Sequence, residues 1–225
     1  FAARCNLKKL KILSCNNCNI KYQNPQLSNI GLNIYYKYVY RSDYIFKSRN
    51  NLFKREQRRG NYIIEYLINN NISLKEKKIF EIGTGCGGII NQFKNKFNAQ
   101  VEGIDLDNTT IEYGKNKGLN LKLTNLENYN PNTKFDIIIL SHIIEHIADL
   151  NYFLKILHKL SHNKTIFYVE VPGLQNSKVV ERNYSIQPGH IFYFDQTSLC
   201  QIFAKNNLKI FNQNNIIQMI LGYEK

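Results

Sequence analysis

Three places in the chain carry residues whose types and spacing suit chemistry. The first is Glu81-Ile82-Gly83-Thr84-Gly85-Cys86-Gly87-Gly88, where Gly83, Gly85 and Gly88 satisfy the spacing G-x-G-x-x-G. Glycines between a strand and a helix let backbone amides approach a ligand closely. Asp105 follows about 20 residues on, where a carboxylate accepts the hydroxyls of a ribose. Glycines and acid together indicate an adenosine-type cofactor. Glu81 narrows the choice, because a carboxylate two residues before the first glycine suits a cationic ligand and opposes a pyrophosphate. The second place is Ser141-His142-Ile143-Ile144-Glu145-His146, and the third is His190. Histidine is the usual general base for a hydroxyl acceptor.

Each of these residues also has a plainer reading. Glu81 can pair at a strand edge, and Asp105 can cap the helix that follows it. His142 stands at a strand end expected to face the site. Glu145 and His146 share its face if the local chain is a helical turn. His146 serves equally well as a base or as a hydrogen-bonded structural histidine, and His190 can simply pack at a strand start. His158 and His162 lie on or just past an outer helix and read as solvated. Asp136 begins a strand, far from its carboxyl end, and reads as structural.

The elements that must position these groups alternate. A helix is expected over 49–70, weakened at its centre by Gly60. Short strands follow at 79–82, 100–105, 119–123, 135–140 and 165–171, with helices at 89–97, 109–117, 150–160 and 195–206. Two last strands are expected at 208–211 and 216–221. The run Phe135 to Leu140 is nearly all apolar, as in a strand buried on both faces. Alternation of this kind predicts crossovers, a mainly parallel sheet, and ligands beyond the carboxyl ends of the strands. Residues 1–45 show little periodicity.

Length and composition agree with one core. The chain has 225 residues, 43 % of them apolar, with 15 Tyr and 13 Phe. That excludes a disordered chain and suits one domain with an appendage. No apolar run reaches the ~20 residues of a bilayer span, and the first residues do not form a secretory signal. The chain does not begin with Met, so further residues are expected upstream. Thirty Lys+Arg against 17 Asp+Glu give a net charge of +13. The only dense basic run is Lys54-Arg55-Glu56-Gln57-Arg58-Arg59, so solvated lysines explain the charge better than nucleic acid does. Cysteines at 5, 15, 18, 86 and 200 are odd in number and irregularly spaced, which argues for a reducing cytoplasm.

Five stretches, Phe80–Gly88 (FEIGTGCGG), Val101–Asp107 (VEGIDLD), Lys134–Ile147 (KFDIIILSHIIEHI), Tyr168–Gly173 (YVEVPG) and Pro188–Leu199 (PGHIFYFDQTSL), together resemble the class I S-adenosylmethionine-dependent methyltransferases. The resemblance runs over about residues 78–210 in the family's order. It implies an α/β, Rossmann-like, doubly wound sheet of seven strands with the last antiparallel and helices on both faces. It implies S-adenosyl-L-methionine as cofactor, with Glu81, Gly83, Thr84 and Gly85 around its methionine part. Asp105 would hold the ribose, Leu106 would lie beside the adenine, and the loop Asn125-Leu126-Glu127 would approach the adenine amino group. Asn125 departs from the family's frequent Asp. Ser141 and His142 would lie beneath the methyl donor, with His142, His146 and His190 as candidate bases. The stretch from His190 resembles sugar methyltransferases. The carbon-methylating branch has Glu-His there and this chain has Gly189-His190, which favours an oxygen or nitrogen acceptor on a small molecule. Residues 172–189 look like an insertion covering the substrate, and Tyr35, Tyr36, Tyr38 and Tyr40 are candidate lining.

Cys15-Asn16-Asn17-Cys18 has zinc-knuckle spacing and, with the residues after it, resembles the zinc-binding leader of bacterial small-molecule methyltransferases. Only Cys5 stands upstream, so residues 1–48 read as a leader with the remnant of such a site, residues 49–225 as the methyltransferase domain, and no metal ligands are assigned. Cys86 and Cys200 have no base beside them. Three rival readings remain open: an NAD-dependent oxidoreductase, an RNA methyltransferase, and a non-catalytic scaffold. The oxidoreductase lacks chain for a second domain.

Overall fold

A computed structural model describes residues 11–35, 48–173, 188–214 and 217–223. Its main sheet has seven strands: β3 (Lys78–Ile82), β4 (Gln100–Asp105), β5 (Asn120–Leu123), β6 (Phe135–Ser141), β7 (Ser161–Glu170), β9 (Leu208–Gln213) and β10 (Gln218–Tyr223). Their order is β5-β4-β3-β6-β7-β10-β9. β10 pairs antiparallel with both its neighbours, and the remaining pairs are parallel. It therefore runs against the other six, as expected.

The central strands read as apolar runs because both faces are covered. Phe80, Ile138, Leu140, Phe167 and Val169 point into one core with α5 (Leu150–Leu160) and α6 (Gln196–Lys205). Ile79, Ile137, Ile139, Tyr168 and Ile220 point into the other, with α2 (Arg49–Asn69), α3 (Gly88–Phe97) and α4 (Asn108–Lys115). This is the period-two alternation of a strand expressed in packing. Asp195 caps α6 through a capping box with Ser198. Asp136 accepts the Lys78 N–H at 2.8 Å and tethers the starts of β3 and β6.

Gly60 does not interrupt α2. A Cβ there would lie 2.9 Å from the Ile89 carbonyl oxygen, so the glycine sets how closely α2 and α3 approach. Its conformational cost is offset by that contact.

Residues 11–35 carry regular structure that their composition does not suggest. β1 (Lys11–Ser14) and β2 (Lys21–Asn24) form a hairpin, and β2 also pairs with β8 (Phe192–Tyr193) in a separate three-stranded sheet. A short helix, α1 (Asn29–Ile34), follows it. Among the described residues no helix is long and apolar enough to cross a membrane. Cys5, Tyr36, Tyr38, Tyr40 and positions 174–187 of the expected insertion lie outside the described residues. Tyr35 is buried.

Candidate active site

Parallel register brings the carboxyl ends of β3, β4, β6 and β7 to one edge: Glu81 lies beside Gly103 and Ile139, and Ser141 beside Glu170. Beyond β3 the chain turns through Gly83 (φ +69°), Gly85 (φ +57°) and Gly87 (φ +80°), a left-handed region that glycine enters at little cost. The amides of Gly83 and Thr84 both donate to the Ile104 carbonyl at 2.9 and 3.0 Å, which fastens the loop to the end of β4. Asp105 holds the other side. Its Oδ2 accepts the Gly85 N–H at 2.9 Å and its Oδ1 accepts the Asp107 N–H at 2.8 Å. These two bonds orient the carboxylate at the end of β4, beside the glycine loop. Leu106 is 58 % exposed beside it, an apolar surface at the mouth of the site. These residues fit an adenosine-containing cofactor.

Glu81 and Thr84 lie beneath the loop. Glu81 is 1 % exposed, and its Oε2 accepts the Thr84 hydroxyl at 2.8 Å. Burial pushes its carboxyl well above the usual carboxylate range. Thr84 is also buried, and it occupies space that a side chain at Gly103 would fill. Both residues brace the loop from beneath.

A residue that sequence reasoning passed over completes the loop. Gly87 caps α3 without a side chain, so the first amides of that helix need an outside acceptor. Glu56 of α2 supplies it: Oε1 accepts the Cys86 N–H at 3.2 Å and Oε2 the Gly88 N–H at 2.9 Å. Burial raises the Glu56 carboxyl to about 7, against those hydrogen bonds. The signal available was one acid inside a basic run, which reads as solvent-facing charge. The same run sends Gln57 to the Asn91 side chain and Arg59 to Glu170.

The second half of the site forms where β6 ends. Ser141 Oγ donates to Glu170 Oε2 at 3.1 Å, and the His142 N–H donates to the Glu170 carbonyl at 2.8 Å. His142 then adopts φ +56°, an uncommon conformation for a side-chain-bearing residue and one found at functional sites. A 3₁₀ turn over Ile144–His146 follows. It places His142 Nδ1 3.3 Å from Glu145 Oε1, while His142 Nε2 is 3.8 Å from Glu170 Oε1. Arg59 reaches across from α2 and grips Glu170 with both Nε and Nη2, at 3.2 and 3.1 Å. Burial works to raise the Glu170 carboxyl, but Arg59 and then His142 outweigh it and hold the group below its ordinary value.

His146 and His190 meet edge to face, with ring centres 4.8 Å apart. The Ile191 N–H donates to the Glu145 carbonyl at 2.8 Å and pins the His190 strand to the turn. The three candidate histidines therefore surround Glu145.

Other expected residues are engaged within the fold. Leu126 packs its side chain in the core. The Asn125 Oδ1 expected at the adenine accepts the Asn128 N–H at 2.9 Å. His158 and His162 are not merely solvated: His158 Nδ1 contacts the Tyr223 hydroxyl at 2.7 Å and His162 Nε2 contacts Asp136 at 3.2 Å. Burial, with Glu56 nearby, pushes the Cys86 thiol up to about 12, an unreactive state. Around Cys15, the amides of Asn17 and Cys18 point at the sulfur and lower its thiol. Among the described residues no three-ligand group includes Cys15 or Cys18.

A glycine loop, an acid at the next strand end, and a β10 reversed at the sheet's far side are the features of an α/β methyltransferase fold. Consistent with this, the model of the methyltransferase domain family matches residues 40–213, and the chain belongs to that family. Among curated proteins it is similar to the ubiquinone biosynthesis O-methyltransferases of Pelagibacter ubique and Bartonella tribocorum. The first is 32 % identical over 102 residues, covering 43 % of this chain and 42 % of that protein. The second is 31 % identical over 99 residues, covering 41 % and 40 %. The match thus spans about two fifths of those relatives' length. Among solved structures, the plantazolicin methyltransferase bound to S-adenosylhomocysteine aligns with a TM-score of 0.62 and 15 % identity, over 83 % of this chain and 79 % of that one. A Clostridium acetobutylicum S-adenosylmethionine-dependent methyltransferase aligns with a TM-score of 0.57 and 14 % identity, over 86 % and 97 %. At these identities the structures share the fold.

Proposed function

We propose that the protein transfers a methyl group from S-adenosylmethionine to an oxygen of a small-molecule acceptor. The observation that carries this reading is His142. It is held in a left-handed conformation at the end of β6, beside the glycine loop, with its ring between the carboxylates of Glu145 and Glu170. The cofactor supplies an activated methyl group on a sulfonium. The chain's own contribution is alignment and proton removal. Gly83 and Gly85 lie around the methionine part, Asp105 holds the ribose, and Leu106 offers apolar contact to the adenine. Glu145 faces Nδ1 of His142 and orients the ring, which leaves Nε2 to take the acceptor's proton. The side chain is 34 % exposed, so it is reachable from the cleft.

An oxygen acceptor agrees with the relatives' description as O-methyltransferases. It also agrees with Gly189 standing where a carbon-methylating branch has Glu. Residues 1–48 form the leader and 49–225 the catalytic domain in this reading, and the pairing of β2 with β8, two residues beyond His190, supports a role for β2 close to the site. The free thiols of Cys15, Cys18, Cys86 and Cys200 suit a reducing cytoplasm.

The test is formation of S-adenosylhomocysteine with panels of hydroxylated and aminated small molecules. Hydroxyl acceptors should turn over. His142→Gln should lower turnover by about 100-fold or more, with S-adenosylhomocysteine affinity unchanged. Turnover of amines alone, or of RNA alone, would overturn the reading.

A further inference from the structure

Glu145 is 1 % exposed, yet neither carboxylate oxygen receives a hydrogen bond of normal geometry. Its near neighbours are nitrogen atoms of histidines: His142 Nδ1 at 3.3 Å and His146 Nε2 at 3.8 Å. One ligand atom from each of Glu145, His146 and His190 lies within 4.8 Å of the others. A buried carboxylate needs compensating positive charge.

His146 shows what kind. Its Nδ1 lies 2.9 Å from the Gly189 carbonyl. A carbonyl only accepts, so Nδ1 carries the hydrogen and Nε2 presents a lone pair toward Glu145. Two electron-pair donors then face each other in a buried place. A histidine fixed through its far nitrogen by a backbone carbonyl is the usual outer support of a metal ligand. Two ligands on a tetrahedral zinc lie about 3.4 Å apart, so the Glu145–His146 pair at 3.8 Å is already close to that spacing, and His190, whose ligand atom lies within 4.8 Å of the other two, has to move in by about an ångström.

We propose that Glu145, His146 and His190 form a binding site for a first-row divalent transition-metal ion. Two imidazoles and one carboxylate select such an ion over magnesium or calcium, which take mainly oxygen ligands. Three protein ligands leave a coordination position open, as in catalytic rather than structural sites. It faces outward at His146, whose side chain keeps 17 % exposure while Glu145 and His190 are sealed. The ion would be held beside the 3₁₀ turn that follows His142. An acceptor hydroxyl in the open position would lose its proton more readily. This assigns a metal where the sequence reading placed none, and it holds whether or not the acceptor is an alcohol.

Zinc is the probe. Cys15→Ser/Cys18→Ser serves as background, so that thiol binding cannot imitate the site. The protein is stripped with chelator and titrated calorimetrically with Zn²⁺. One ion per chain is expected, with an affinity at least 10-fold lower in Glu145→Gln, His146→Gln and His190→Gln. S-adenosylhomocysteine affinity should stay the same in all of them. Absence of Zn²⁺ binding by the background protein overturns the proposal, as does equal binding by the three variants. Should a variant not fold, the background protein alone decides: Zn²⁺ must raise its Tm and Mg²⁺ must not, and a Tm unmoved by Zn²⁺ is fatal.

Discussion

Glu56 offers the sharpest test of how the cofactor loop is held. Its carboxyl is ordinary at 4.5 when exposed and sits at about 7 in the folded chain. Removal from water is the largest cause, and the Asp105 charge adds to it. A displacement of that size corresponds to about 3 kcal/mol between the charged and neutral forms. Between pH 4.5 and 7 the folded protein holds a proton here that the unfolded chain has lost. Unfolding therefore releases protons in this window, and stability falls as pH rises through it. About 3 kcal/mol of stability present below pH 4.5 is lost by pH 7 and above.

Glu56→Gln isolates this contribution. Glutamine does not titrate, and its carbonyl can accept one of the two N–H groups at Cys86 and Gly88. Its amide nitrogen then meets the other, at a cost of about 1–3 kcal/mol. At pH 5 the variant should be less stable than the parent by roughly that amount. At pH 8 the parent carries its own buried charge, so the gap should close or change sign. Urea midpoints with matched m-values at the two pH values measure the difference, and every other titrating group cancels in the comparison. A stability gap that is the same at pH 5 and pH 8 would refute burial as the dominant force on Glu56. A gap that widens at pH 8 would show that the ionised carboxylate is the favoured cap of α3.

Two further outcomes follow from the same geometry. Asp105→Ala removes the acceptor at the end of β4 and frees the Gly85 amide. Calorimetry should show S-adenosylhomocysteine binding weakened by about 1–3 kcal/mol, and an unchanged affinity would remove Asp105 from the site. Arg59→Met leaves Glu170, whose side chain is 13 % exposed, without its guanidinium partner. The expected loss is on the order of 2 kcal/mol, less than for a fully buried pair because the Arg59 side chain is 34 % exposed. Adding Glu170→Gln should recover most of it in a double-mutant cycle, and additive losses would show that the pair is not coupled.

The parts of the fold legible in the sequence are those where one physical signal dominates. Phe135–Leu140 reads as a strand because it is nearly all apolar, and Ile79–Ile82 because a short, mostly apolar run enters a glycine cluster; both become central strands. Gly83, Gly85 and Asp105 read as a cofactor loop because strand, glycines and acid occur in a fixed order. β1, β2 and β8 were not legible. They have two to four residues each, with partly exposed faces, and β2 finds β8 across about 170 residues of chain. Glu81 was visible as an acid, but its orientation depended on Thr84 and Gly103, which only packing brings together. Glu145 and His190 are far apart in sequence, and their meeting depends on the backbone bond between Ile191 and Glu145.

The site is governed from one helix outside the strand–glycine–helix core. Within five positions, α2 sends Glu56 to the loop amides, Gln57 to Asn91, Arg59 to Glu170, and Gly60 against the backbone of α3. These contacts join the cofactor half of the site to the half that holds His142. They also explain why the densest basic run in the chain is a poor argument for nucleic-acid binding: Arg59 is spent on an internal carboxylate, and Glu56 breaks the positive field. If α2 shifts along its axis by even one residue, Gly60 no longer faces Ile89, and a side chain collides with the helix behind the loop. Close packing at Gly60 therefore fixes the register that aims Glu56 and Arg59, and the geometry around His142 depends on a helix that reaches it through Glu170.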